Sequence, residues 1–263
     1  MSLKQKLRAF FNLKEFQENK HDIDAPETTV LHGEIIRSKP FLKNIYYEWY
    51  RTFEKELSSL PKGKQLELGS GAGFIKEICP DVITSDVLDL PDIDMKIYGE
   101  DLPFEDKSLS AILMIDTLHH IPDPELFLHE ADRCLVSGGK IIMNEPANSP
   151  WGRFIYQHFH HEPFNPAGDW FLPKVGPMSG ANGALPHIIF IRDAELFKTK
   201  FPNLVIEDIR FHTPLRYLLS GGVSMRNLVP DWSFGFFTIL DRIISAVTFG
   251  KVSMFQTIII RKL

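Results

Sequence analysis

Apolar residues in this 263-residue chain form two patterns: short continuous runs, and longer stretches where they recur at helical spacing. The continuous runs predict buried strands, because a strand covered on both faces is apolar at nearly every position. The seven predicted strands lie in residues 65–68, 81–87, 95–98, 109–115, 140–144, 204–211 and 254–261. Because strands and helices alternate over short connections, we expect a mostly parallel, doubly wound α/β sheet. The last strand follows a long excursion, so we expect it to be antiparallel at the sheet edge.

Helical spacing is clearest between Lys39 and Leu60, where large apolar residues recur every four positions. Asp123 and Pro124 predict the start of another helix, since Asp is favoured as a cap and Pro at the first helical position. Further helices are expected over 74–79, over 193–201 with Asp193 as cap, and in parts of 214–250. In residues 13–38, Asp22, Asp24 and Pro26 are expected to interrupt any helix.

This pattern predicts an N-terminal helical cap over residues 1–60 and one α/β domain over 61–263. Between residues 146 and 191 the alternation stops, and six prolines interrupt the chain. A segment of this length without regular structure is usually functional. We therefore expect an insertion after the fifth strand that forms part of a binding site.

Composition narrows the class of protein. The net charge of −5 argues against a broad nucleic-acid interface, which normally has a basic face. Cys79 and Cys134 are the only cysteines and form no CxxC pair, which suits a reducing, cytoplasmic location. Residues 1–12 carry three basic residues and a Phe pair without a long apolar core, so a solvated helix is favoured over a membrane-surface anchor.

A glycine-rich turn follows the first strand, with Gly69, Gly71 and Gly73 at alternate positions. Glycines there accept positive φ and allow a ligand close to the backbone. The next strand ends on Asp86, at the spacing expected of an acid that binds a ribose. Phe74 stands where a dinucleotide site has its third glycine, which favours a nucleoside cofactor without a pyrophosphate. An NAD-type oxidoreductase stays open as an alternative, as does Asp86 serving only as a helix cap.

Four segments resemble motifs of the class I S-adenosylmethionine-dependent methyltransferases, in particular the type 11 branch. In the family's order they are 67–73 (ELGSGAG), 102–108 (LPFEDKS), 118–124 (LHHIPDP) and 133–139 (RCLVSGG). The resemblance implies a Rossmann-like transferase that moves a methyl group from S-adenosylmethionine to a small-molecule or lipid-linked acceptor. Oxygen is the expected methylated atom. A lipid-linked acceptor would bring peripheral contact with a membrane. A non-catalytic module that binds S-adenosylmethionine is a further alternative.

The resemblance also implies roles for individual positions. Asp86 would bind the ribose hydroxyls, Asp116 would lie beside the sulfonium, and residues 100–102 would border the adenine. The full set of expected cofactor-binding residues is Glu67, Gly69, Ser70, Gly71, Asp86, Val87, Glu100, Asp101, Leu102 and Asp116. Tyr98 departs from the family pattern, which has an Asp there to read the adenine amino group.

A hydroxyl acceptor needs a base, and His is the natural one near neutral pH. Two groups are candidates: the pair His119–His120 after the fourth strand, and the cluster His158–Glu162 in the insertion. The expected catalytic residues are His161, His120 and Glu145. Polar packing is the alternative for both groups. A metal site is a further alternative for the cluster His158–Glu162, but it is disfavoured because no matching Cys or carboxylate constellation lies nearby. No metal site and no nucleic-acid partner are expected, and the oligomeric state is left open.

Overall fold

The computed structural model describes residues 22–71, 73–160, 162–173 and 175–263. Within these residues the strands are β1 (Lys64–Leu68), β2 (Ile83–Asp86), β3 (Met95–Lys96), β4 (Leu109–Ile115), β5 (Leu135–Pro146), β6 (Leu204–His212) and β7 (Phe255–Lys262). The α-helices are α1 (Pro26–Ser38), α2 (Pro40–Leu57), α3 (Pro124–Cys134), α4 (Pro150–Phe159), α5 (Leu185–His187), α6 (Ala194–Lys200), α7 (Arg216–Ser220) and α8 (Phe234–Val247).

The seven strands form one sheet in the order β3-β2-β1-β4-β5-β7-β6. The first five are parallel, and β7 runs antiparallel between β5 and β6. The predicted doubly wound, mostly parallel seven-stranded sheet is therefore confirmed. The edge position predicted for the last strand is wrong. Ile258, Ile259 and Ile260 of β7 are buried on both faces of the sheet, whereas β6 has partly exposed positions and forms the edge.

Helices α2 and α3 cover the sheet with the faces that their spacing predicts. Phe41, Ile45 and Trp49 of α2 are buried in the core. The Asp123 carboxylate accepts a hydrogen bond from the Leu126 amide at 3.0 Å, so the predicted cap of α3 is present. Both helices thus begin and pack where local sequence chemistry directs them.

Three local expectations are wrong. Pro26 does not interrupt a helix but begins α1, because proline fits the first helical position, where no N–H partner is needed. Residues 74–79 form only a 3₁₀ turn at Ile75–Glu77, since Phe74 has a non-helical backbone. Asp193 does not cap α6, because its carboxylate binds Arg192 and the Trp170 indole instead.

The segment after β5 contains α4, α5 and a π-helical turn at Ile188–Arg192, so it is more regular than expected. Its connections to the rest of the fold include one to the loop after β4 and one to the N-terminal segment. The Asn182 amide donates to the His119 carbonyl at 3.0 Å, and the Asp24 carboxylate accepts from the Met178 and Ser179 amides at 2.7 and 2.9 Å. The division at residue 60 stays a prediction, and residues 1–12 lie outside the described part of the chain. None of the described helices combines the length and apolarity needed to cross a bilayer.

Candidate functional site

A cavity of about 900 Å³ opens at the carboxyl ends of β1, β2 and β4. Open α/β sheets bind their ligands at this edge, outside the ends of the parallel strands. Helices α1 and α2 form one wall, with His32 and Tyr46 among the lining residues. The segment after β5 forms the opposite wall, with Tyr156 and Glu162. The cavity is at the large end of the range for small-molecule sites, roughly 300–1,000 Å³.

The floor of the cavity is the glycine turn after β1. Gly69 and Gly71 have φ angles of +71° and +54°, which residues with a Cβ rarely adopt. A Cβ on Gly69 would lie 2.4 Å from the Thr117 side chain. The Gly71 amide donates to the Asp86 carboxylate at 2.9 Å, so the acid at the end of β2 also fixes the turn. Glycine at both positions keeps the backbone open to the cavity.

Two buried carboxyl groups border this turn. Asp86 is 8 % exposed, and burial raises its pKa despite the hydrogen bonds from the Leu88, Gly71 and Val87 amides. Glu67 is 2 % exposed, and burial, reinforced by the charge of Asp86, raises its pKa to about 7. The Glu67 Oε2 atom accepts no hydrogen bond from the described residues. Because a buried acceptor without a partner is costly, this atom fits a site completed by a donor on a ligand.

Asp116 follows β4 with a φ of +50°, in the left-handed region that Asp tolerates better than most residues. Burial raises its pKa to about 8, an effect that His119 opposes and the charges of Glu145 and Glu162 reinforce. A carboxyl group in this position is easier to ionise when a cation lies beside it. Asp116 thus gives the cavity a group that would favour a positively charged ligand.

Glu145, at the end of β5, organises the loop after β4. Its Oε1 accepts from the Thr117 and Leu118 amides at 2.9 and 2.7 Å, and its Oε2 lies 2.6 Å from His119 Nδ1. The Glu145 side chain is fully buried. Its oxygens are therefore engaged in holding the loop, and the catalytic role expected for Glu145 stays a prediction.

His119 Nε2 points from this loop toward Glu162, at 3.4 Å from its Oε2. Glu162 Oε1 lies 3.7 Å from His120 Nε2. Although burial alone would lower it, the pKa of His119 is held well above its usual value by Glu145 and Glu162. Conversely, His119 holds the pKa of Glu162 well below its usual range despite burial. Glu162, from one of the two groups that the sequence offered as alternatives, thus joins the histidine pair of the other group at the cavity wall.

Most of the residues expected to bind the cofactor line the cavity. These are Glu67, Gly69, Ser70, Gly71, Asp86, Val87, Glu100 and Asp116, and the catalytic candidate His120 lines it too. Asp101 and Leu102 do not: the Asp101 amide closes a turn on the Tyr98 carbonyl, and the Leu102 amide donates to Glu130. His161 lies outside the described residues. Tyr98 lines the cavity at the position where the family pattern has an Asp.

Sequence reasoning missed several lining residues. Thr29, His32 and Ile36 come from α1, which was not expected to be a helix. Tyr217 comes from α7 and Phe255 from β7. The amphipathic spacing of residues 28–36 would have revealed α1, but nothing local indicates that α7 and β7 reach the cavity.

Residues 94–143 match a family described as a methyltransferase domain. An uncharacterized protein of Methanocaldococcus jannaschii is 31 % identical over 114 residues, which is 37 % of this chain and 56 % of that protein. The matched region thus spans about half the length of this curated relative.

Solved structures with a similar fold include a SAM-dependent methyltransferase of Thermotoga maritima, which is 18 % identical with a TM-score of 0.46. That alignment covers 88 % of this chain and 99 % of the other. Geranyl diphosphate C-methyltransferase of Streptomyces coelicolor, solved with S-adenosyl-L-homocysteine, is 13 % identical with a TM-score of 0.48, and the alignment covers 84 % of this chain and 81 % of that one.

Proposed function

We propose that this chain is a methyltransferase that transfers a methyl group from S-adenosylmethionine to a small-molecule acceptor. The family match at residues 94–143 contains three of the four segments on which the sequence resemblance rests. The predicted resemblance to class I methyltransferases is therefore confirmed. The observation that carries the proposal is the single cavity that joins the glycine turn, Asp86 and Asp116.

The cavity residues suit the parts of this cofactor. Asp86 would accept from the ribose hydroxyls, and Oε2 of Glu67, which accepts no hydrogen bond from the described residues, would accept from the amino group of the methionine moiety. Asp116 would lie beside the sulfonium, whose positive charge would favour the ionised carboxylate. The open backbone at Gly69 and Gly71 lets the cofactor lie against the turn.

We propose oxygen as the methylated atom. The acceptor O–H bond loses its proton, the S–CH₃ bond breaks with its electron pair retained by sulfur, and an O–CH₃ bond forms. The products are the methylated acceptor, S-adenosylhomocysteine and a proton. The cluster of His119, His120 and Glu162 is proposed to receive the hydroxyl, because these three residues border the same cavity as Asp116. His161, the catalytic histidine expected from the sequence, is proposed to act with this cluster on the sequence alone. The chain therefore supplies alignment and a place for the acceptor proton.

The acceptor is proposed to carry an apolar part, which a lipid-linked substrate would have. Tyr156, Tyr217 and Phe255 support this, since they give the cavity an aromatic wall. The exposed apolar face of α8 supports peripheral contact with a membrane. Helix α8 is held against α2 and α7 by Arg216, which binds Asp241 at 2.8 Å and Glu48 at 2.8 Å.

The test is calorimetric titration of the protein with S-adenosylhomocysteine. Asp86→Asn should weaken binding about 10- to 100-fold, because it removes a charged acceptor from the ribose and loosens the turn at Gly71. The control variant is Asp92→Asn, at an exposed position in the loop between β2 and β3. It should bind S-adenosylhomocysteine as the wild type does. Binding of NADH without binding of S-adenosylhomocysteine would overturn the proposal in favour of the oxidoreductase.

A further inference from the structure

Three side chains at the cavity wall present metal-ligating atoms to one another. These atoms, from His119, His120 and Glu162, all lie within 4.8 Å of each other. The carboxylate oxygens of Glu162 are 3.4 Å from His119 Nε2 and 3.7 Å from His120 Nε2. Nitrogen and oxygen ligands about 2.0–2.2 Å from a tetrahedral zinc ion are separated by roughly 3.3–3.5 Å. The two distances from Glu162 are therefore close to those between ligands around one ion, and the ligating atoms of the two histidines lie within 4.8 Å of each other.

The surroundings of His119 add a second, independent observation. Its Nδ1 is held by Glu145 at 2.6 Å, and both side chains are buried. A carboxylate on one imidazole nitrogen fixes the ring so that the other nitrogen faces the metal, and this is the common outer partner of a metal-bound histidine. The second grouping, Asp116 with His119 and Glu145, is a poorer ligand set, because Glu145 already accepts from two backbone amides.

We propose that His119, His120 and Glu162 bind one divalent transition-metal cation at the wall of the cavity, with Glu145 as the outer partner of His119. Two imidazoles and one carboxylate favour ions such as Zn²⁺ over Mg²⁺, which prefers oxygen ligands. Three protein ligands also leave a position open, as catalytic metal sites do. This departs from the sequence expectation of no metal site.

The proposal deepens the proposed function in one respect only: a bound ion would hold the acceptor oxygen beside the methyl group. Metal binding itself does not depend on that role. The two conclusions can therefore fail separately, provided that metal binding and S-adenosylhomocysteine binding are measured on the same preparations.

The experiment uses tag-free full-length protein that is dialysed against a chelator and titrated with Zn²⁺ in competition with a chromophoric chelator. The wild type should bind one equivalent. Loss of an outer partner lowers metal affinity roughly 10- to 100-fold. His120→Ala and Glu162→Gln each remove a direct ligand, so each should weaken Zn²⁺ binding by more than that. Both side chains border the cavity, and circular dichroism of each variant checks that it is folded. Mg²⁺ should not compete at equal concentration.

The matched control is His158→Ala, since this exposed histidine lies on α4 and bonds the Phe154 carbonyl. It should bind Zn²⁺ as the wild type does. The proposal is overturned if the wild type binds no Zn²⁺, or if His120→Ala and Glu162→Gln bind it as tightly as the wild type does. Zn²⁺ binding without S-adenosylhomocysteine binding would sink the proposed function alone. Metal-free protein that binds S-adenosylhomocysteine and takes up no Zn²⁺ would sink this inference alone.

Discussion

Asp116 combines two features that rarely occur at one position. Its backbone has a positive φ, and its carboxyl group has a pKa raised to about 8, chiefly by burial. Its Oδ1 atom accepts no hydrogen bond from the described residues. Unusual backbone geometry and a perturbed carboxyl group together are typical of functional positions. Both features fit a residue that is completed by a cation.

The charge of the ligand should therefore decide how much Asp116 contributes. S-adenosylmethionine carries a sulfonium charge and S-adenosylhomocysteine does not. Asp116→Asn should weaken the binding of S-adenosylmethionine about tenfold and the binding of S-adenosylhomocysteine much less. Both affinities are measured by calorimetry at one pH. The exposed Asp92→Asn variant is the control. Equal loss of affinity for both ligands would show that Asp116 shapes the loop and does not act through its charge.

Asp86 and the His119–Glu162 pair show how far the sequence alone reaches. Asp86 could be predicted because β1, the glycine turn and β2 follow one another along the chain. Its distance from the glycines therefore places it at the end of β2, beside the turn. Glu162 was noticed only as a neighbour of His158–His161. Its pairing with His119 requires the segment after β5 to lie against the loop after β4, where the Asn182 amide donates to the His119 carbonyl. Pairings across such a segment follow from tertiary packing, for which the local pattern carries no signal.

The same distinction holds for whole elements. The five parallel strands, α2 and α3 follow from apolar spacing and caps. Helix α1 was missed because Pro26 was interpreted as a breaker and not as a first helical residue. The place of β7 was missed because an apolar run shows that a strand is buried but does not name its neighbours.

Helix α8 is apolar on nearly every side, although only one side packs against the fold. Phe236, Ile239 and Ile243 are 64, 60 and 53 % exposed, and Val247 is 67 % exposed. Trp232 and Phe249 extend the face at its two ends. Exposed basic residues lie around it: Arg226, Arg242 and Lys251. Aromatic and aliphatic side chains flanked by Lys and Arg are typical of helices that lie on anionic lipid surfaces.

We therefore expect the protein to sediment with vesicles that contain an anionic phospholipid. The triple change Phe236→Ser, Ile239→Ser and Ile243→Ser should lower the fraction of protein bound to vesicles several-fold. The reason is that it removes most of the apolar area that the membrane would bury. Leu196→Ser with Val205→Ser, two exposed apolar positions elsewhere, should leave binding unchanged. Equal binding of all three proteins, or none by the wild type, would contradict membrane contact through α8.

At the scale of the molecule, the cavity is enclosed where the N-terminal helices meet the segment after β5. Asp24 makes this connection: its carboxylate accepts from the amides of Met178 and Ser179 and from the Ser179 hydroxyl. Gly176 packs directly on it, since a Cβ there would lie 2.2 Å from Asp24 Oδ2. Because Gly176 and Met178 line the cavity, this contact holds part of the cavity wall in place.

Asp24→Ala should loosen that wall without changing the sheet. Amide hydrogen exchange should rise in residues 175–183 and stay unchanged in β4 and β5. S-adenosylhomocysteine should also dissociate several-fold faster, as measured by stopped-flow displacement. Asp81→Ala, an exposed change remote from this contact, serves as the comparison. Unchanged exchange at residues 175–183 would mean that other contacts hold the segment.

The position of β7 between β5 and β6 has a consequence for how the chain reaches its native state. Strand β5 ends at Pro146, but its second neighbour begins only at Phe255. Among the described strands, β6 pairs with β7 alone. During synthesis from the ribosome, β5 and β6 would both emerge long before the strand that joins them. Such high contact order slows folding and leaves unpaired strand edges exposed to other chains. The nascent protein would thus depend on its last described strand to close the sheet.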